Sequence, residues 1–222
     1  MIEAVVLDLD GVLIDSEQVW SAAREQLVRE RGGSWRAEAT RAMMGMSSLE
    51  WSRYMHDELG VDLPPEEISR AVVARMARLY EERLPLFPGA REAVVSLAQR
   101  WRIGLASSAN REIIDLVLAL AELRASFAFT VSSEEVPHGK PAPDVYLEAA
   151  RRLGVQPARC AAVEDSTNGL RSAAAAGFVV VAVPNQEFPP SEDALGLASV
   201  ALTSLDQLCP EVLEREGTGP GT

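Results

Sequence analysis

Between residues 90 and 183 the chain alternates four times between a helical pattern and a short apolar run. The spacing predicts helices over 90–100, 111–121, 143–153 and 168–176, followed by strands over 103–107, 127–131, 161–163 and 179–183. Strands separated by helices of about 10–15 residues are βαβ units, and their strands lie parallel in one sheet. A further apolar run, Ala4-Val5-Val6-Leu7, opens the chain and ends abruptly in Asp8-Leu9-Asp10-Gly11. Runs of this kind read as buried strands, whose carboxyl ends are where an open α/β sheet binds its ligands. The expected class is therefore α/β, with a Rossmann-like parallel sheet.

Nothing between residues 15 and 84 reads as a strand. Helices are predicted over 16–31, 37–44, 49–59 and 65–83. Gly32-Gly33 stops the first, Pro64-Pro65 opens the last, and Asp15-x-x-Gln18 has the form of a capping box. Pro85, Pro88 and Gly89 then mark a linker. The expected organisation is an α/β core from residues 1–15 and 85–213, interrupted by an all-α insertion over 16–84 that sits above the carboxyl end of the sheet. The Gly-rich segment 214–222 is expected to be a disordered tail.

Charge narrows the partners. Asp and Glu number 33 against 21 Lys and Arg, a net charge of −12. That argues against a nucleic-acid partner and against anionic membrane surfaces. The apolar stretch 173–183 is broken by Gly177 and is too short to span a bilayer. The two cysteines, Cys160 and Cys209, imply no disulfide framework. A reducing, cytoplasmic setting without a secretory signal, and a monomer, are the expectations.

Four loops at predicted strand ends carry chemistry. The first holds Asp8 and Asp10. Burying two close carboxylates is expensive because each is desolvated and they repel, and a divalent cation removes both costs. An EF-hand loop also begins Asp-x-Asp, but Val12 and Leu13 occupy positions that need Asp/Asn and Gly. The second loop reads Ser107-Ser108-Ala109-Asn110, which suits either an anion site at a helix start or an ordinary helix cap. The third, Gly139-Lys140-Pro141, holds a compact positive charge suited to phosphate oxygens, or a lysine in a solvated turn. Its neighbour His138 has nothing nearby to orient it as a base. The fourth reads Val163-Glu164-Asp165-Ser166-Thr167-Asn168-Gly169 and brings two more acids to a helix start. Each loop alone has a bland explanation as a cap or turn. Together they place metal ligands, anion donors and a cation on one side of the sheet.

This ordered set resembles the haloacid dehalogenase superfamily, in its branch with a helical cap inserted after the first strand. Asp8-Leu9-Asp10-Gly11 matches the first motif, Ser107 the second, Lys140 the third and Glu164-Asp165 the fourth. Asp15-Ser16-Glu17, Gly139-Lys140-Pro141 and Glu164-Asp165-Ser166 are also similar to the β-phosphoglucomutase-like phosphatases. The resemblance implies a phosphatase acting on a small phosphorylated metabolite, a sugar or polyol phosphate, with Asp8 as nucleophile through an aspartyl phosphate. It implies Asp10 as general acid and then base. Mg²⁺ would be held by Asp8, the backbone carbonyl of Asp10, Asp165 and Glu164. Ser107, Lys140 and backbone N–H groups near Asp10, Gly11 and Ser108 would bind the phosphoryl oxygens. Hard oxygen ligands and the absence of His/Cys clusters suit Mg²⁺ better than Zn²⁺.

Dehalogenating members lack the metal site and the second aspartate, both of which have counterparts here. Sugar mutases of the group carry a histidine near Trp20 and an arginine near Ser48, so the mutase alternative is weakened. A non-catalytic binding protein is the other alternative, and the presence of Asp8, Asp10, Lys140 and Asp165 argues against it. In the insertion, the run from Met43 to Ser48 faces substrate or packs the cap. Trp20 and Trp51 are wall or packing, and Trp35 is packing.

Overall fold

The computed structural model describes residues 1–44 and 46–216. Strand β1 (Ala4–Leu7) is followed by four helices, α1 (Glu17–Glu30), α2 (Ala39–Met43), α3 (Ser48–Asp57) and α4 (Pro65–Glu82). The chain then alternates through α5 (Ala90–Arg100), β2 (Arg102–Ser107), α6 (Arg111–Leu120), β3 (Phe129–Ser132), α7 (Asp144–Leu153), β4 (Cys160–Glu164), α8 (Thr167–Ala175) and β5 (Val179–Ala182). It closes with α9 (Glu192–Leu195), β6 (Val200–Ala201) and α10 (Pro210–Glu216).

The strands form one sheet in the order β3-β2-β1-β4-β5-β6, with every pairing parallel. All four β1 residues are buried because both faces are covered. Val5 and Leu7 point into the layer that includes α5 and α6, whereas Ala4 and Val6 point into the layer of α7 and α8. Burying each such valine or leucine contributes about 1.5–3 kcal/mol. β1 therefore anchors the sheet and can carry buried polar groups at its end.

The helical insertion shares the first of these layers, as Trp51, Met55, Val72 and Met76 join one apolar cluster with residues of α5 and α6. Ser47 and Glu50 form a reciprocal capping box that starts α3, and Pro65 occupies the first turn of α4. The two ends of the insertion are pinned together. Ile14 and Leu86 form an antiparallel bridge, Asp15 N–H donates to the Pro85 carbonyl at 2.8 Å, and Phe87 N–H donates to the Leu13 carbonyl at 3.0 Å.

Some expectations need correction. The box at Asp15-x-x-Gln18 does not form: Ser16 is the N-cap of α1 and makes no side-chain cap bond, because its hydroxyl goes to Asp10 and Gln18 reaches Glu187. Strand β6 was not legible, since two residues cannot show an alternation. The tail does not begin at 214, because α10 runs to Glu216. Its remainder, 217–222, lies outside the described residues, as does Gly45 of the expected substrate loop. Among the described residues no helix is long and apolar enough to cross a membrane.

Candidate active site

The strand order reverses between β1 and β4, and this is where an open parallel sheet leaves a crevice at its carboxyl edge. Asp8 follows β1 directly, its N–H continuing the ladder onto the Val163 carbonyl at 3.0 Å. Glu164 ends β4 and Asp165 is the next residue. The two chain segments approach so closely that a Cβ on Gly11 would fall 1.9 Å from Oδ2 of Asp165. Gly11 also holds φ +76°, a conformation few L-residues adopt. Gly169 is confined in the same way, since its Cβ would lie 1.9 Å from Oε2 of Glu164.

Carboxylate oxygens of Asp8, Glu164 and Asp165 lie within 4.8 Å of one another, and all three residues are buried. Lys140 answers them from the loop between β3 and α7. Its Nζ donates to Glu164 Oε1 at 2.5 Å and to the Ala106 carbonyl at 3.1 Å. It meets Asp8 Oδ1 at 2.9 Å as an ion pair, without the alignment of a hydrogen bond. The peptide bond joining Lys140 to Pro141 is cis. The Tyr146 hydroxyl, from α7, donates to Glu164 Oε1 at 2.6 Å, and the tyrosine ring lies 5.3 Å from Nζ.

Electrostatics follow from this crowding. Burial, with Glu164 and Asp10 adding repulsion, pushes the Asp8 carboxyl up to about 8, although Lys140 pulls the other way. Burial first, then Glu164 and Asp8, holds Asp165 well above the usual carboxylate range. Burial opposes the charge on Lys140 as well, but Asp8 and Glu164 outweigh it and keep the ammonium firmly protonated. Three acids against one ammonium leave a buried excess of two negative charges when all are ionised. Several kcal/mol attach to each uncompensated buried ion, so the cluster fits one divalent cation. The donors are all hard oxygens, the kind that magnesium-like ions take.

Asp10 stands apart from that cluster. Its Oδ1 accepts from the Ser16 hydroxyl at 2.5 Å and from the Trp20 indole N–H at 2.9 Å, both contributed by the start of the insertion. Asp8, Asp10, Lys140 and Asp165 line one small hollow of about 50 Å³, space for a few waters, whose roof carries Met43, Met44, Met46 and Trp51. Glu17 and Arg24 from α1 face the same hollow. The roof side chains come from both segments that the sequence left undecided, so Trp20 and Trp51 are at once wall and packing, being 5% and 2% exposed.

The remaining expected residues divide. Ser108 lines the hollow. Ser107 is fully buried at the end of β2, and its hydroxyl accepts from Ala109 N–H at 3.0 Å. Glu164 lies beneath the hollow, bonded to Lys140, Tyr146 and the Asp165 N–H. Gly11 does not take the donor role expected for it, because its N–H is already given to the Ile14 carbonyl at 2.8 Å. Its contribution is the close approach to Asp165. His138 is exposed and paired with Asp144 at 3.0 Å. Of the two readings of 107–110, the helix cap is not made by its own side chains: Glu134 supplies the acceptor, its carboxylate accepting from Asn110 Nδ2 and Arg111 N–H. Ser16 and Glu17 entered the sequence reading only within the motif Asp15-Ser16-Glu17, without a role, and Tyr146 and Arg24 did not enter it, since a tyrosine or polar residue on an amphipathic helix carries no mark of what it will meet.

Residues 2–177 match the hydrolase family described as haloacid dehalogenase-like hydrolase. The chain is 36% identical over 212 residues to hexitol phosphatase B of Escherichia coli strain K12, covering 92% of this chain and 93% of that protein. Among solved structures it is similar to CbbY from Rhodobacter sphaeroides in complex with phosphate, with a TM-score of 0.83, 29% identity and coverage of 94% and 96%. It is also similar to β-phosphoglucomutase from Clostridium difficile, with a TM-score of 0.84 and coverage of 98% of both chains; at 24% identity that likeness speaks to the fold.

Proposed function

This chain belongs to the haloacid dehalogenase-like hydrolase family, and we propose that it is an Mg²⁺-dependent phosphatase that releases phosphate from a small sugar or polyol monophosphate. The observation that carries this is the meeting of Asp8, Asp165 and Glu164 with Lys140 at the reversal point of the sheet. The relationship to a hexitol phosphatase supports the substrate class.

In this reading an Asp8 carboxylate oxygen attacks phosphorus in line with the ester oxygen. The phosphorus–oxygen bond to the alcohol breaks, and the phosphoryl group passes to Asp8. Asp10 gives its proton to the departing alkoxide. It then takes a proton from the water that attacks the aspartyl phosphate, so phosphate leaves and both aspartates are restored. Oδ1 of Asp10 is occupied by Ser16 and Trp20, which leaves Oδ2 for the proton traffic. Lys140 commits two N–H groups to Glu164 and Ala106 and turns the rest of its charge toward Asp8, where the equatorial phosphoryl oxygens gather. Ser107 and Ser108 contribute donors from the end of β2. Asp8, Asp165 and Glu164, with the Asp10 carbonyl, would hold Mg²⁺, which when bound supplies positive charge against the repulsion between a carboxylate and a phosphate dianion. Residues 16–84 act as a cap. A hollow of about 50 Å³ is too small for a sugar phosphate, so the cap opens to admit substrate and closes to exclude water.

Phosphate release from a panel of monophosphates, with Mg²⁺ and with a chelator, tests the reading. Turnover is expected with Mg²⁺ alone, and Asp8→Asn lowers it by about 10⁴-fold or more. Undiminished turnover in Asp8→Asn would sink the mechanism.

A further inference from the structure

Arg24 is 6% exposed, yet its guanidinium makes no hydrogen bond among the described residues, and Nε is completely buried without a partner. It is held by stacking. Its central carbon lies 4.8 Å from the Trp20 ring and 5.0 Å from the Trp51 ring, and the two indoles are 6.1 Å apart at 58°. A guanidinium carries five N–H donors in a fixed fork, and each donor buried without an acceptor costs about 1–3 kcal/mol. Stacking against two indoles recovers part of that cost and fixes the plane. Arg24 lines the hollow, held beside the two rings. Burial brings Arg24 down to about 10, with Glu17 and Asp10 resisting, so it remains charged at neutral pH.

Glu17 is seven residues earlier on α1, on the same helix face, and lines the same hollow. It supplies what the guanidinium lacks, an acceptor. The chain of contacts then runs outward from the chemistry: Asp10 bonds to Trp20, and Trp20 stacks on Arg24. In the phosphatase reading, the alcohol part of a substrate extends this way beyond the oxygen that Asp10 protonates. Local charge disfavours a second phosphate there. Among the described residues Arg24 is the one cation of this wall, and the acidic groups of Glu17 and Asp10 lie beside it, so a distal dianion would meet a single cation flanked by acids. A hydroxyl both donates and accepts, and matches both groups.

We propose that Arg24 and Glu17 form a hydroxyl-reading subsite that selects monophosphates of polyols over bisphosphates and over phosphates of alcohols without further hydroxyls. This rests on the phosphatase reading and names its selectivity. The test measures kcat/KM on hexitol 6-phosphate, hexitol 1,6-bisphosphate, erythritol 4-phosphate, butyl phosphate and p-nitrophenyl phosphate. Wild type should favour the hexitol monophosphate over the bisphosphate, and erythritol phosphate over butyl phosphate, each by about tenfold or more. In Arg24→Met the ratio of hexitol phosphate to p-nitrophenyl phosphate should fall by about tenfold or more, chiefly through KM, with Arg24→Lys intermediate because it keeps charge without the fork. Glu17→Gln should lower the same ratio. An unchanged ratio in folded Arg24→Met, or a wild type that prefers the bisphosphate, overturns the subsite. Should Arg24→Met fail to fold, equal rates for erythritol and butyl phosphates in wild type overturn it instead. No turnover of any phosphate would overturn the phosphatase reading itself, and the subsite with it.

Discussion

The Trp20 indole N–H donates to Oδ1 of Asp10 at 2.9 Å, so a helix of the insertion orients a carboxylate that belongs to the sheet. In Trp20→Phe the ring can keep its contacts with Trp51 and Arg24 while the donor disappears. A hydrogen bond to a charged group is worth about 1.5–3 kcal/mol, so kcat should fall by about tenfold or more, with little change in the far-UV spectrum. Steady-state kinetics decide this. An unaltered kcat would mean the bond serves packing alone.

Stability of the metal-free protein should depend on pH through its buried acids. Asp8 sits at about 8 and Glu17 at about 7, each raised first by burial, and Asp165 is raised as well. A carboxyl with a folded-state pKa above its unfolded value favours folding while protonated, and that benefit fades as pH climbs. For Asp8 the window runs from 3.8 to about 8. Lys140, raised in the folded state, stays charged across this window and adds nothing to the slope. A divalent cation binds the ionised acids, so the gain in melting temperature from Mg²⁺ should be larger near about pH 8 than near about pH 5.5. Thermal scans with Mg²⁺ and with chelator at both values measure it, and a gain that shrinks with rising pH contradicts the cluster as a metal site.

Removing Lys140 should be costly to the fold as well as to turnover. Lys140→Met leaves Asp8 and Glu164 buried without their cation, and breaking a buried pair in this way costs about 3–5 kcal/mol. Urea unfolding of the metal-free protein should show a loss of that order, and added Mg²⁺ should restore part of it. A loss below about 1 kcal/mol would place the lysine in a surface-like environment.

Gly11→Ala tests the close approach of the β1 loop to Asp165. The positive φ alone costs about 1–3 kcal/mol for a residue with a side chain. The added methyl would meet Asp165 Oδ2 at 1.9 Å, so the carboxylate must move. Mg²⁺ affinity, followed by titration calorimetry, should weaken by about tenfold or more. Unchanged affinity would mean that Asp165 is not a ligand.

Much of this arrangement was legible before the fold was known. β1 announces itself because an apolar run stops at two acids, and Lys140 and Asp165 fall at the ends of equally plain units. What escaped depends on three-dimensional neighbours. Tyr146 reads as core on an amphipathic helix, and only the packing of α7 against β2 and β3 brings its hydroxyl to Glu164. Arg24 looks like part of a solvated face until α3 lays Trp51 across it. The family resemblance implies a donor near Gly11, but the tight turn returns its N–H to Ile14 and leaves sterics as its contribution.

The pinned junction of Ile14 and Leu86 has a consequence for how such a protein diversifies. The chain departs from the sheet and comes back at a single doorway, so whatever is threaded between those two residues hangs from a fixed frame. Exchanging the suspended module would re-tailor what the enzyme accepts while the phosphate-handling machinery below stays as it was.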